Sequence, residues 1–330
     1  MGRICNFWNN GDSRKILVFW ERTYIFVLIT QETDRYHINM KIVKAMRIDQ
    51  WLKNLLIFVP FFSYGNFDLA QGLDLVRVFF GFSLIVSSTY ILNDLVDLSS
   101  DREHPSKKLR PVASGVYKTN VWVAILSICL LLGKVILFLT NVQTLIYSTL
   151  YLTVTIIYTF KLKYIKFLDI LTVTFLFTLR VLLGGTPFSI KLSVPLILFV
   201  VFISLGIVSG KKISIMNNEK IKNIKIKNFL MKSYSTEELT TIMKSSLQIS
   251  LVTYLMWIVF VKTLYVNEIS TIFLIFSFVM LFLFVNIFII QSQLSKTEEI
   301  IETFKDNKEI LSVVLMYCLF TFLSILWLKL

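Results

Sequence analysis

The sequence predicts an all-α protein, a multi-pass transmembrane helical bundle of about nine helices. Three observations predict it. Only 17% of the 330 residues are charged, where a soluble domain carries about 25%, and 55% are hydrophobic, with a mean hydropathy of +0.71. Uncharged runs recur, such as 192–206 and 270–290. The second is 21 residues long, enough to cross a hydrocarbon core of roughly 30 Å as a helix. Finally, basic residues concentrate in alternate loops. Only helices and closed barrels satisfy backbone polar groups in lipid, and continuous rather than alternating apolar runs select helices.

The apolar segments fall at about 51–65, 74–98, 120–140, 143–161, 168–185, 193–210, 246–266, 269–293 and 309–329. The first is short and carries Pro60, which predicts a kinked or re-entrant segment. Loop 99–119 holds Arg102, Lys107, Lys108, Arg110 and Lys118; loop 162–167 holds Lys163 and Lys166; loop 211–245 is dense in Lys. The loops between them carry few basic residues, so the three basic loops are expected on the cytoplasmic side, probing anionic headgroups of what we read as the cell inner membrane. The net charge of +13 is thereby explained by the bilayer and an anionic substrate, without nucleic acid as a partner. Cys5, Cys129 and Cys318 are isolated and odd in number, so neither a disulfide framework nor a thiolate metal site is expected.

Residues 1–39 read as a poorly defined N-terminal extension. The apolar stretch 16–30 is interrupted by Glu21 and Arg22 and has no clean cleavage site, which argues against a signal peptide and leaves Met40 as an alternative start. Residues 40–330 read as a single transmembrane catalytic domain. Within it, 217–244 begins Lys- and Asn-rich and then reads as a short amphipathic helix starting near Ser235-Thr236-Glu237-Glu238. A solvated connector and a lid over an active site both fit.

The second segment ends in Asn93-Asp94-x-x-Asp97-x-x-x-Asp101-Arg102. On a helix, Asn93, Asp97 and Asp101 are spaced i, i+4, i+8, and Asp94 precedes Asp97 by three, so all four share a face. Each carboxylate near bilayer depth costs roughly 2.5–3.5 kcal/mol, and like charges repel, so the face requires a compensating cation. An all-oxygen set suits Mg²⁺, which shares its shell with substrate phosphates. Arg102, Lys107, Lys108 and Arg110 follow at once and suit phosphate oxygens. His104, between them, reads as structural, since Mg²⁺ prefers oxygen.

A second cluster comprises Tyr158, Lys161, Lys163, Lys166 and Asp169, with Arg180 inside an apolar run, where an ionisable residue is a functional candidate by default. Lys211 and Lys212 close the sixth segment, and Lys53 lies in the first. With only two histidines and no Gly-rich loop after a strand, side-chain nucleophilic catalysis finds no support.

The run from Asn93 to Asp101, continued by Arg102-x-His104-Pro105-x-Lys107-x-x-Arg110-Pro111-x-Ala113-x-Gly115, resembles the first Asp-rich motif of the UbiA superfamily of intramembrane prenyltransferases. The likeness extends from about Arg47 to Lys212. Arg47-x-x-Gln50-Trp51-x-Lys53-Asn54 resembles the opening of the decaprenyl-phosphate phosphoribosyltransferase branch, with Ile48 where Pro is usual. Tyr158-x-x-x-Leu162-Lys163 with Asp169, Arg180-x-x-x-Gly184-Gly185, Gly210-Lys211-Lys212 and Tyr234-Ser-x-Glu237 resemble later motifs of that branch, although Ile215 stands where an acid is expected.

The resemblance implies a UbiA-like bundle and a Mg²⁺-dependent transferase. Asn93, Asp94, Asp97 and Asp101 would hold the metal, and Asp94, Asp97, Asp101 and Asp169 would be catalytic. Lys53, Arg102, Lys107, Arg110, Tyr158, Lys163, Arg180 and Lys211 would bind substrate phosphates. Aromatic-acceptor relatives carry a second Asp-x-x-x-Asp, whereas here Ile165 and Val173 flank a lone Asp169. That pattern implies transfer of a 5-phosphoribosyl group from phosphoribosyl diphosphate to a polyprenyl phosphate lipid, with Lys163 and Arg180 flanking Asp169 at the acceptor. Prenyl transfer to an aromatic quinone or tetrapyrrole precursor is the alternative, and an anionic-lipid transporter is a third reading.

Overall fold

The computed structural model of the protein describes residues 40–64, 69–103, 107–188, 190–218, 225–264, 268–297, 303 and 307–327. The extension 1–39 and His104 lie outside them. The described residues are helical with short connections, and form no strand. A 3₁₀ helix, Ile48–Phe58, runs into α1 (Val59–Tyr64). Then follow α2 (Leu69–Val96), α3 (Leu98–Glu103), α4 (Thr119–Thr140), α5 (Val142–Phe160), α6 (Leu168–Gly185) and α7 (Val194–Asn217). The last are α8 (Lys225–Ser233), α9 (Thr236–Leu264), α10 (Glu268–Gln293) and α11 (Lys308–Trp327).

Among the described residues, eight helices are long and apolar enough to cross a membrane, and the chain is a multi-pass integral membrane protein. The first expected segment differs from those eight. Its 11-residue 3₁₀ stretch is unusually long. Pro60 lacks the N–H that a continuous α-helix would donate to the carbonyl four residues earlier, and the two short helices meet there. Two other boundaries move for one reason: charged residues prolong a helix without adding apolar signal. Helix α7 runs through Lys211 and Lys212 to Asn217. Helix α9 starts at Thr236, where the Ser235 hydroxyl accepts the Glu238 N–H at 3.0 Å, a cap followed by acids in the first turn. The short amphipathic helix expected from Ser235 is thus the first turns of α9, and a separate nine-residue helix, α8, precedes it.

Helix α6 lies at the centre. Twelve of its 18 residues are buried, so it is covered on nearly all sides, whereas α4 buries four of 22 and turns the rest outward, as a lipid-facing helix does. Ile170 of α6 belongs to a core built with α7, α9, α10 and α11. Leu176, Leu179 and Leu183 belong to a second core with the first segment, α2 and α5.

Helix α6 also docks the 3₁₀ segment. Arg180 is 5% exposed and donates from Nε to Asn54 Oδ1 (3.1 Å), from Nη1 to the Leu176 carbonyl (2.9 Å) and from Nη2 to Tyr151 Oη (2.8 Å). Its guanidinium lies 5.0 Å from the centroids of both the Tyr151 and Phe177 rings, a favourable setting for a desolvated cation. Asn54 passes the network to Ser83 of α2 at 2.9 Å. One helical turn beyond Arg180, a Cβ on Gly184 would lie 1.8 Å from the Ile57 carbonyl oxygen. Only glycine admits that backbone approach.

Gly184→Ala should therefore lower thermal stability in detergent by about 1–3 kcal/mol, the usual range for overpacking. Gly72→Ala is the control: it sits in helix α2 with nothing within 4 Å of a new Cβ, and should be neutral or slightly stabilising.

Candidate active site

Helix α2 and helix α3 join without losing the helical ladder. Asp97 N–H donates to the Asn93 carbonyl at 2.9 Å, and Asp101 N–H to the Asp97 carbonyl at 2.8 Å. The i, i+4, i+8 spacing therefore holds across the junction, and the oxygen side chains share one face. Three carboxylates so close require counter-charge, and three separate stretches supply it.

From before the 3₁₀ helix, Arg47 Nη2 meets Asp94 Oδ1 at 2.5 Å, with its guanidinium 4.9 Å from the Tyr90 ring centroid. Arg47 takes φ 52° to do so, a left-handed conformation that is uncommon for a non-glycine residue. From the basic loop after α3, Arg110 Nη1 bridges Asp94 Oδ1 (3.2 Å) and Asp101 Oδ2 (2.8 Å), and Lys107 Nζ lies 3.7 Å from Asp101 Oδ1. Burial, with Arg110 beside it, holds the Lys107 ammonium below the usual lysine range. From the loop between α5 and α6, Lys163 Nζ reaches Asp97 Oδ1 at 3.1 Å and Oδ2 at 3.3 Å. Four cations thus face three carboxylates. Asp94 and Asp101 are each 2% exposed, but Asp97 is 25% exposed, so Asp97 is the open acid of the cluster, paired with the buried Lys163.

The oxygen set fits a hard divalent cation in a limited way. Among the described residues no three acidic, histidine or cysteine side chains form a cage, and guanidinium groups engage Asp94 and Asp101. Mg²⁺ commonly takes one or two carboxylates, with water and substrate phosphates completing the shell. Asp97, with the half-buried Asn93 one turn earlier, meets that need.

The second cluster divides. Asp169, in the first turn of α6, is fully buried. Its Oδ2 accepts from Lys212 Nζ of α7 at 2.6 Å and its Oδ1 from the Tyr234 hydroxyl at 2.6 Å. Tyr158, at the end of α5, lies within electrostatic reach of Asp169. The expectation that Lys163 and Arg180 flank Asp169 is corrected: Lys163 pairs with Asp97, and Arg180 pairs with Asn54 and Tyr151. Eleven residues of helix separate Asp169 from Arg180, an axial distance of roughly 16 Å, too great for both to line one phosphate. Arg102 is exposed and donates to the Ala113 carbonyl at 3.3 Å, while Lys53 and Lys211 are half-buried. Gly210 serves packing: a Cβ there would lie 2.6 Å from Phe288 Cε1 and Ser292 Oγ of α10.

Two residues with direct partners here had no role assigned from sequence. Arg47 and Tyr234 stand in motifs that resemble the family's, but nothing in one-dimensional spacing pairs them with Asp94 and Asp169.

A family model described as the UbiA prenyltransferase family matches residues 55–305. The chain is 34% identical over 220 residues to the uncharacterized protein y4nM of Sinorhizobium fredii, covering 60% of this chain and 42% of that one. It is 34% identical over 179 residues to decaprenyl-phosphate phosphoribosyltransferase of Mycobacterium tuberculosis, covering 52% and 58% respectively. The chain thus spans about half the length of the curated relatives it matches. A UbiA homologue from Archaeoglobus fulgidus, solved with DMAPP and Mg²⁺, superposes with a TM-score of 0.59 at 13% identity, covering 88% of this chain and 99% of that one, a likeness of fold.

The two acids differ in burial and in the number of cations they hold, and so in what they contribute to stability. Asp94→Asn leaves two guanidiniums without their shared carboxylate and should cost about 3 kcal/mol, the low end for breaking a buried pair because both partners are partly exposed. Asp97→Asn removes a more exposed acid with a single cationic partner but leaves the buried Lys163 without its carboxylate, and should cost less than Asp94→Asn, about 1–2 kcal/mol. Thermal unfolding of both variants in detergent checks the order.

Proposed function

We propose, from the premise that the chain belongs to the UbiA prenyltransferase family, that it is a transferase moving a 5-phosphoribosyl group from phosphoribosyl diphosphate to a polyprenyl phosphate. The observation that carries this reading is the excess of cations over carboxylates on the Asp94/Asp97/Asp101 face, with Lys163 paired to its one open acid, Asp97. A site receiving two phosphorylated substrates needs fixed positive charge beyond what neutralises its own acids. The 34% identity to relatives named decaprenyl-phosphate phosphoribosyltransferase supports the same reading.

In this reading Asn93 and Asp97, with Asp94 and Asp101 behind them, hold a divalent cation, Mg²⁺ by the all-oxygen donor chemistry. Bound there, the ion supplies charge stabilisation to the departing diphosphate. Lys107, Arg110 and Arg102 attract the donor's phosphates. Lys163, aided by Lys53, Tyr158 and Lys211, orients the acceptor monophosphate. A phosphate oxygen of the lipid forms a bond to ribose C1 as the C1–O bond to diphosphate breaks, and the electron pair leaves with diphosphate. Asp169 acts through Lys212 and Tyr234, and Arg180 holds the 3₁₀ segment that carries Lys53. The isoprenoid tail remains in the bilayer. In this reading the site faces the cytoplasm from the cell inner membrane, a side supported by the Lys and Arg of the loops around it.

Purified protein in detergent with Mg²⁺, phosphoribosyl diphosphate and a polyprenyl phosphate should yield a lipid whose mass rises by one phosphoribosyl unit. Asp97→Asn should lower that turnover at least about 100-fold, as loss of a group acting on the leaving charge does. Release of diphosphate from a prenyl diphosphate and an aromatic acid, with none from the ribosyl donor, would establish prenyl transfer instead. Lipid movement without turnover would establish a carrier.

A further inference from the structure

The loop that delivers Lys163 contains a strained residue, and one side chain from elsewhere holds it. Phe167 has φ 68° and ψ −42°, and Leu168 N–H donates to the Lys166 carbonyl at 2.9 Å. The hydrogen bond skips one residue, so Phe167 is the centre of a γ-turn of the rare positive-φ kind, unfavourable for an aromatic residue. Such strain persists only where surrounding contacts over-determine it.

Those contacts come from the turn between α8 and α9. Phe167 N–H donates to the Tyr234 hydroxyl at 2.6 Å, and that hydroxyl donates to Asp169 Oδ1 at 2.6 Å. The Phe167 and Tyr234 rings meet edge to face at 5.9 Å. Lys166 Nζ sits 5.0 Å from the Phe167 centroid and 5.2 Å from that of Tyr234, and pairs with Glu238 at 2.9 Å. Asp169 is fixed from its other oxygen by Lys212. Burial, then the bond to Asp169, holds the Tyr234 phenol above its ordinary range, so it keeps the proton it donates. Lys163, four residues before Phe167, is 8% exposed with its ammonium on Asp97.

We propose that Tyr234 is a positioning residue: its hydroxyl fixes the γ-turn at Phe167, and through that turn it presents Lys163 to Asp97. Tyr234 touches no carboxylate of the Asp94/Asp97/Asp101 face. It acts through the loop backbone, so the α8–α9 connection governs the reactive end of the α5–α6 loop. The proposal rests on the functional reading above only for which face reacts.

The test reads Lys163 directly in the full chain in detergent, by its rate of acylation with an amine-reactive ester and peptide mass analysis, with exposed Lys108 as reference. Tyr234→Phe retains the ring and removes both hydrogen bonds. It should raise the Lys163 rate relative to Lys108 about tenfold or more, the consequence of losing a charge-assisted hydrogen bond. Adding Phe167→Gly, which accepts positive φ without strain, should return Lys163 toward its wild-type rate, and this double variant also guards against misfolding. With the substrates proposed above, kcat/KM for the lipid acceptor should fall in Tyr234→Phe mainly through KM and recover in the double variant. An unchanged Lys163 rate in folded Tyr234→Phe, or no return in the double variant, overturns the proposal. Absence of turnover in the wild type would instead overturn the functional reading, and the acylation rates would still decide the role of Tyr234.

Discussion

The rest of the site depends on neutralising three carboxylates at the end of a membrane helix. Each is costly at that depth, and on one helical face they also repel. The protein meets this by drawing in side chains from three stretches far apart in sequence: Arg47, then Lys107 and Arg110, then Lys163. The Arg47 and Lys163 pairings are long-range and the Lys107 and Arg110 pairings local, and together they gather these basic residues at one end of α2. Because the cations exceed the acids, the same arrangement leaves a net positive field at that end.

A second constraint acts from the interior. Helix α6 is packed on both sides, and its buried Arg180 and Gly184 grip the 3₁₀ segment by a polar network and by close backbone contact. That grip lies close to the charged cluster, because the residue just before the segment is Arg47, which pairs with Asp94. The first turn of α6 contributes again, since Asp169 anchors Lys212 and Tyr234. One helix thus supports the site from below, through the 3₁₀ segment, and from the side, through the loop carrying Lys163.

Much of this was legible in one dimension. The apolar runs located the spans closely, except where charged residues prolonged α7 and α9 beyond any hydropathy signal. The helical spacing of Asn93, Asp97 and Asp101 placed them on one face, and the structure keeps them there. The grouping of Lys163 and Arg180 around Asp169 failed for two reasons: Arg180 lies eleven positions along the helix from Asp169, several turns away, and Lys163 is taken by Asp97. The expected helix beginning at Ser235 proved to be the first turns of a longer one, because a cap marks where a helix starts and says nothing of how far it runs.

The sequence by itself determined a multi-pass helical bundle, the oxygen-rich face at the end of its second segment and the basic character of the loops beside it. These follow from local quantities: hydropathy over a helix length, spacing against 3.6 residues per turn, and loop charge. The tertiary structure alone decided which cation serves which carboxylate. It left Asp97 as the open acid, made Arg180 and Gly184 the dock for the first segment, and brought Tyr234 to the strained turn at Phe167. Those outcomes depend on distances between residues tens of positions apart, set by how the helices pack.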